Sequence, residues 1–263
     1  MNIDLTGRTA LVSGSTQGIG RAIAAGLAMA GARTIVNGRS RSRVDAAVRA
    51  LTDENPGAEF AGVAADLATA DGARTVLELF PRIDIVVNNL GIFEARPVLE
   101  IDDAEWTRYF EVNVLSAVRL TRQYLPGMMD RRWGRVLFIA SDSAVVIPEE
   151  MVHYGMTKTA LLAVSRGYAK AAAGTGVTVN TVMAGPTHTA GVETFVTDLV
   201  GDLPWPEAQR RFMAEHRTNS LLQRLIEPAE IANMVVYLSS DHASATTGGA
   251  VRADGGYIDA IIP

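Results

Sequence analysis

Short, unbroken runs of Val, Ile, Leu and Ala recur along this chain, and a longer stretch of helical spacing follows each one. Thr9–Val12, Arg33–Asn37, Phe60–Ala64, Ile83–Val87, Arg135–Ala140 and Val177–Val182 read as strands. Helical patterns cover Gly18–Ala30, Ser42–Leu51, about Thr69–Leu79, about Asp102–Tyr124 and about Val152–Ala173. The apolar runs do not alternate with polar residues, so both faces of their sheet must be covered, as in parallel sheets wrapped by helices. A βαβα rhythm of this kind predicts a doubly wound α/β fold.

The rhythm breaks between Thr187 and about Arg224, where Gly201, Pro204 and Pro206 interrupt helical pieces such as Glu207–Glu215. A long excursion without a strand reads as a substrate lid. The 263 residues fit one domain, 1–263, with no internal repeat or low-complexity linker. A chain of this size buries roughly three quarters of its unfolded surface, so it needs no staple. There is no cysteine, and the four histidines are scattered, which excludes disulfides, zinc–thiolate sites and a cysteine nucleophile and leaves no metal-ligand spacing. The net charge, 24 − 29 = −5, argues against a nucleic-acid or anionic-membrane partner. No apolar run approaches the length of a membrane span, and Met1–Asp4 lacks the basic and apolar regions of a signal peptide. A cytoplasmic protein with a small-molecule substrate is the expectation.

The first strand runs into Ser13-Gly14-Ser15-Thr16-Gln17-Gly18-Ile19-Gly20 and then directly into a helix. Glycines here permit a tight turn and close approach of backbone to a pyrophosphate, which the new helix meets with unpaired N–H groups and its positive dipole end. Strand two ends Asn37-Gly38-Arg39, with no carboxylate to accept ribose hydroxyls. A guanidinium at Arg39 can pair a 2′-phosphate instead, so NADP(H) is favoured over NAD(H).

Tyr154 and Lys158 stand four residues apart, on one face of a helix, in a chain with only two lysines. Ser141 lies thirteen residues before Tyr154, at the end of strand five. Moving hydride to a carbonyl leaves an alkoxide that needs a proton, and a tyrosine beside an ammonium can give it. Lys158 is expected to lower the pKa of Tyr154. Ser141 would donate a hydrogen bond to the carbonyl oxygen and orient it. Ser143, two residues on, is expected to line the pocket, as are Phe93 and Met151. His153 reads as a pocket wall or packing residue, and His188 could reach substrate.

These motifs together resemble the short-chain dehydrogenase/reductase family. The Gly14-x-x-x-Gly18-x-Gly20 spacing, the Ser141, Tyr154 and Lys158 set, and Asp254-Gly255-Gly256 near the end all match its pattern. Asn88-Asn89-Leu90-Gly91 looks like the family's Asn-Asn-Ala-Gly with leucine for alanine. Ala184-Gly185-Pro186-Thr187-His188-Thr189 departs from the usual Pro-Gly start at Ala184. The resemblance implies a Rossmann-type parallel sheet of about seven strands, a homotetramer, and a nicotinamide cofactor held by residues 14 to 20 (Gly14, Ser15, Thr16, Gln17, Gly18, Ile19, Gly20). Arg39, Asp66, Leu67, Asn89, Gly91, Tyr154, Lys158, Gly185, Thr187 and Thr189 complete that cofactor set. It also implies that Lys158 holds the nicotinamide ribose, that Thr189 bonds the carboxamide, and that Asn113 binds a water relaying protons from Lys158.

The expected activity is hydride transfer between NADP(H) and a carbonyl or secondary alcohol of a small or medium organic substrate. A nucleotide-binding regulator that has lost catalysis is the alternative. An apolar tail, Tyr257–Pro263, reads as a surface for a partner subunit or for packing within its own.

Overall fold

Parallel strands need crossover helices, and the chain alternates the two accordingly. The computed structural model describes residues 2–261. The elements are β1 Thr9–Val12, α1 Gly18–Met29, β2 Arg33–Gly38, α2 Arg41–Glu54, β3 Phe60–Ala64, α3 Ala70–Leu79 and β4 Ile85–Asn88. Then come α4 Asp103–Phe110, a π-helical turn Glu111–Leu115, α5 Ser116–Asp130, β5 Gly134–Ser141, α6 Val152–Ala171 and β6 Val177–Ala184. The remainder is α7 Ala190–Val200, α8 Trp205–His216, α9 Pro228–Ser239 and β7 Ala250–Ala253. The strands form one seven-stranded sheet in the order β3-β2-β1-β4-β5-β6-β7, and every pairing is parallel. Chain direction across the sheet reverses between β1 and β4, which opens a crevice at the carboxyl ends of the strands.

Both faces are dry, as the unbroken apolar runs require. Ala10, Val12, Val36, Val87, Ile139 and Val182 pack under α1, α2 and α9. Their neighbours Leu11, Ile35, Val86, Val136, Phe138 and Val179 pack under α3, α5 and α6. Burying a side chain of this size contributes roughly 1.5–3 kcal/mol, so the two layers dominate the stability.

Two elements differ from the sequence expectation. The helix expected to run unbroken over about Asp102–Tyr124 is interrupted by the π turn and continues to Asp130. Strand four starts at Ile85, two residues later than expected; Asp84 before it is buried, and its Oδ2 accepts from Thr9 N. The stretch after Thr187 is helical and has its own apolar core, in which Phe195, Val196, Val200, Phe212, Met213 and Leu225 meet Met151 from outside it. A single bridge, Thr187 to Ile226, ties its two ends together. Within the tail, Tyr257 and Ile258 are buried in their own chain and Ile261 is exposed; Ile262 and Pro263 lie outside the described residues.

His153 is a packing residue and does not line the crevice. It is fully buried, with its ring centroid 4.0 Å from that of Tyr109, and both ring nitrogens lack hydrogen-bond partners. Burial therefore pushes its pKa below the ordinary 6.5. A folded state that refuses a proton the unfolded chain accepts is fully stabilised above that ordinary value and weakened as pH falls below it. We expect the melting temperature of His153→Leu to fall less steeply than the wild type's between pH 7 and pH 5, read by calorimetry; parallel slopes would contradict a neutral buried imidazole.

Candidate active site

The crevice is built on the turn after β1. Gly14 and Gly18 hold φ of +61° and +57°, which a residue with a Cβ adopts only under strain. At Gly20 space is the constraint: a methyl group there would sit 2.5 Å from Asn89 Nδ2 and 2.6 Å from Gly14 O. Helix α1 begins without a side-chain cap and without an acidic residue in its first turn. Its free N–H groups and dipole therefore face the crevice unopposed, a fit for a dinucleotide pyrophosphate.

Hydrogen bonds fix this turn to the neighbouring loops. Ser13 Oγ accepts from Asn89 N and Leu90 N, at 2.9 and 3.0 Å. Asn89 Nδ2 donates to Ser13 O and Gly14 O, both at 3.0 Å. Asn37 accepts from Gly14 N at 3.2 Å and donates to Val63 O and Ala65 O. Ser15 points inward, its hydroxyl bonded to Val12 O at 2.7 Å. Ser13 and Asn37 are absent from the sequence-derived set; a polar residue inside or just after an apolar run was the only signal for them.

Ser141 ends β5. Its Oγ donates to Asp142 Oδ1 at 2.8 Å and accepts from Ser143 N at 3.1 Å. Tyr154 and Lys158 project from the first turns of α6 into the same crevice, which both line together with Ser141. Lys158 Nζ donates to Ile139 O at 2.9 Å and lies 5.4 Å from the centroid of the Tyr154 ring. Burial pushes Lys158 down to about 8. The expected depression of Tyr154 by Lys158 does not appear in this geometry. Burial raises the phenol above its ordinary value, with the Ser141 hydrogen bond acting in the opposite sense. The ammonium sits over the ring and bonds a backbone carbonyl, so it gives the phenolate oxygen little help.

Asn113 is fully buried in the π turn. Its Oδ1 accepts from Ile92 N at 2.8 Å, and its Nδ2 donates to Ile92 O and Thr157 Oγ1, both at 3.0 Å. The side chain thus anchors the loop after β4 to helix α6. A methyl group on Gly91 would lie 3.4 Å from Lys158 Nζ and 3.6 Å from Asn113 Oδ1, so the loop passes close over both.

Gln17, Gly18, Ile19, Asn89, Gly185, Thr187 and Thr189 line the crevice with these groups. Phe93, Ser143 and Met151 line its other half, beside Phe195 of α7 and Phe212 of α8. Ser15, Thr16, Arg39, Asp66 and Leu67 stand outside that wall; Leu67 is buried, and Asp66 Oδ1 accepts from Ala68 N at 3.1 Å. Arg39 is exposed at the end of β2 and makes no ion pair among the described residues, whereas Arg33 and Arg41 pair with Glu59 and Asp45. His188 does not line the crevice. Its Nε2 lies 2.7 Å from Glu193 Oε1, and its ring stacks on Trp205 at 5.1 Å. An acid partner and an aromatic face thus hold the ring. Two further wall residues carry charge, Asp142 of the β5 loop and Arg217 at the end of α8.

A doubly wound sheet with a glycine turn, and an acid tyrosine across the crevice from it, defines a nicotinamide-dependent oxidoreductase. A family model described as enoyl-(acyl carrier protein) reductase matches residues 14–258. An uncharacterized oxidoreductase of Bacillus subtilis, YvaG, is 49% identical, with 99% of this chain and 100% of that protein covered. A 3-oxoacyl-(acyl-carrier-protein) reductase of Aquifex aeolicus is 32% identical over 97% of this chain and 99% of its own length. The structure of L-sorbose reductase from Gluconobacter frateurii, complexed with NADPH and L-sorbose, superposes with a TM-score of 0.92 at 32% identity, covering 99% of this chain and 100% of that one. The chain belongs to the short-chain dehydrogenase/reductase family, whose members transfer hydride to and from a nicotinamide cofactor. Among the described residues, no helix is long and apolar enough to cross a membrane.

The crowding at Gly20 is directly testable. Gly20→Ala is expected to weaken nicotinamide-cofactor binding by at least about tenfold and to lower the melting temperature, because backbone on the far side of the turn has to move. Fluorescence titration with unchanged affinity would mean that the turn is looser than this geometry allows.

Proposed function

We propose that the protein is an NADP(H)-dependent reductase of ketones, with Tyr154 as acid, Ser141 as the donor that orients the carbonyl, and Lys158 and Asn113 as the groups that set the site. One observation carries this reading: Ser141, Tyr154 and Lys158 line a single crevice with the glycine turn. A bound nicotinamide supplies the hydride. The chain's own part is to hold the carbonyl oxygen between Ser141 Oγ and Tyr154 Oη and to deliver the phenolic proton as the alkoxide forms. In the reverse direction the same oxygen takes the proton back. Ser141 must turn its hydroxyl from Asp142 Oδ1 to the substrate oxygen, and the Ser143 amide keeps its position while it does so.

Arg39 supports the choice of NADP(H). Its guanidinium is exposed and unpaired at the end of β2, where a 2′-phosphate would gain charge-assisted hydrogen bonds. Gly38 supports it too: a Cβ there would meet Thr16 Cγ2 at 2.7 Å and Val44 Cγ2 at 3.2 Å, so an acid for NAD would have to displace those side chains. The stretch of 187–224 acts as a substrate lid in this reading, and 1–263 as one catalytic domain. Assembly as a homotetramer and a cytoplasmic location complete it. The exposed Leu221 and Ile261 near the carboxyl end supply apolar surface for a neighbouring subunit. The named relatives divide between a sugar ketone and an acyl-carrier ketone as substrate.

Two variants test these roles. Tyr154→Phe is expected to bind NADPH normally and to lose roughly 10²–10⁴-fold in turnover, since the ring stays and the proton goes. Retention of more than about a tenth of the rate would remove Tyr154 from the mechanism. The wild type is expected to prefer NADPH over NADH by roughly ten- to a few hundredfold in kcat/KM, and Arg39→Gln to lose most of that preference. Equal use of both cofactors by the wild type would mean that Arg39 serves solubility alone.

A further inference from the structure

The substrate half of the crevice is apolar except at one end. Phe93, Met151, Phe195 and Phe212 form its walls, and between them stand Asp142 and Arg217. Both are almost wholly buried, at 4% and 8% exposed. A charge at that depth needs partners. Arg217 Nη1 donates to the His216 carbonyl at 2.6 Å. Its Nη2 stands 3.7 Å from Glu150 Oε1, beyond hydrogen-bond reach. Across from it, Asp142 Oδ1 takes the hydroxyls of Ser141 and Ser143, while Asp142 Oδ2 is buried with no partner at all. Glu150 Oε1 is a second buried acceptor without a hydrogen bond. Arg217 and Asp142 line the same pocket and no hydrogen bond joins them, while Glu150 stands outside that lining.

Orphaned polar atoms in a ligand pocket mark where a ligand's own polar groups go. We propose that Arg217 and Asp142 select the substrate, taking neighbouring hydroxyl groups of an uncharged polyhydroxylated ketone whose carbonyl lies at Ser141 and Tyr154. The inference rests on the reductase reading given above and adds the substrate class to it. A hydroxyl both donates and accepts, so one can give its proton to Asp142 Oδ2 while its neighbour accepts from Arg217 Nη2. Position agrees with this. Asp142 follows Ser141 directly, so a hydroxyl bonded to it sits close to the reacting carbonyl, as on adjacent carbons of a ketose.

Charge selects against other classes. An anionic substrate would find Arg217 already facing the Glu150 carboxylate and would meet Asp142 as well. A long acyl chain would find apolar walls but would leave Asp142 Oδ2 buried without a partner, which a site punishes more than it punishes a missing methylene. Arg217 also lies over the faces of Phe212 and Tyr257, with its guanidinium carbon 5.0 and 5.8 Å from their centroids. The rings hold the planar head in one orientation without using its N–H groups.

The test compares three ketones with NADPH as reductant: a neutral ketose such as fructose, the anion 5-ketogluconate, and 2-hexanone, which has no hydroxyl. The wild type is expected to favour the ketose over both others in kcat/KM. Arg217→Met should cut the ratio of ketose to 2-hexanone by about 10- to 100-fold, mainly through KM, and Arg217→Lys should restore part of it. Calorimetric binding of fructose to the NADP⁺-loaded protein should weaken in parallel in the methionine variant, with circular dichroism showing that the variant is folded. A preference for 5-ketogluconate or 2-hexanone, or a ratio that Arg217→Met leaves unchanged, would overturn the proposal. Turnover of none of the three, with fructose binding still dependent on Arg217, would instead overturn the reductase reading and leave the recognition site standing.

Discussion

Everything in the crevice depends on how the loop after β1 is held against its two neighbours. A parallel sheet delivers its loops to one edge but does not fix them to each other, because each loop leaves the ladder where the backbone bonds stop. Here side chains continue the ladder. Ser13 gathers the amides of Asn89 and Leu90, Asn89 returns its amide to the carbonyls of Ser13 and Gly14, and Asn37 joins Gly14 to the end of β3. All three side chains sit on strand ends where water has been excluded or nearly so, and each such bond is costly to leave unmade. The result is a rigid rim on which a glycine turn can approach a ligand closely without collapsing into it.

Burial then sets the chemistry. Lys158 is brought down to about 8 by desolvation, and the same desolvation raises Tyr154. One cause moves a base and an acid in opposite directions, toward the neutral form of each. Ion pairing plays the smaller part, since the ammonium spends a hydrogen bond on Ile139 O and faces the ring of the phenol. In the proposed mechanism the tyrosine is therefore a weak acid, and an alkoxide forming within hydrogen-bond reach is a base strong enough to take its proton.

The sequence made the sheet and the two ends of this chemistry legible, for a physical reason. Continuous apolar runs and glycine spacing are local patterns, and Tyr154 with Lys158 falls on a single helix face. Six strands were placed within two residues of their ends for the same reason. The features that escaped detection are the ones with no local signature. The π turn at Asn113 contains neither glycine nor proline; it follows from the side chain's need to reach Ile92 and Thr157 at once. His188 carries a chemistry that suits a substrate site, but Glu193 one helical turn on captures it. Arg217 is one of 22 arginines in the sequence, and nothing near it tells it apart until the fold brings the end of α8 to the crevice. Ser13 and Asn37 look like breaks in apolar runs until the strands are set side by side.

The stretch after Thr187 has a further property that follows from where its apolar core lies. Phe195 and Phe212 of that core, with Met151 packed against them, also line the crevice. One wall of the crevice is thus one side of the packing that holds this stretch against the rest of the chain. A ligand that fills the space against these residues adds contacts to that cluster, and one that fits poorly leaves a gap in it. Occupancy and this packing are therefore coupled by linkage: a ligand that binds the packed arrangement stabilises it, and by the same amount the packing tightens binding. Arg217 stands at the end of α8, while Asp142 follows β5, next to Ser141, so a ligand that reaches both ties the two parts of the chain together beside Ser141.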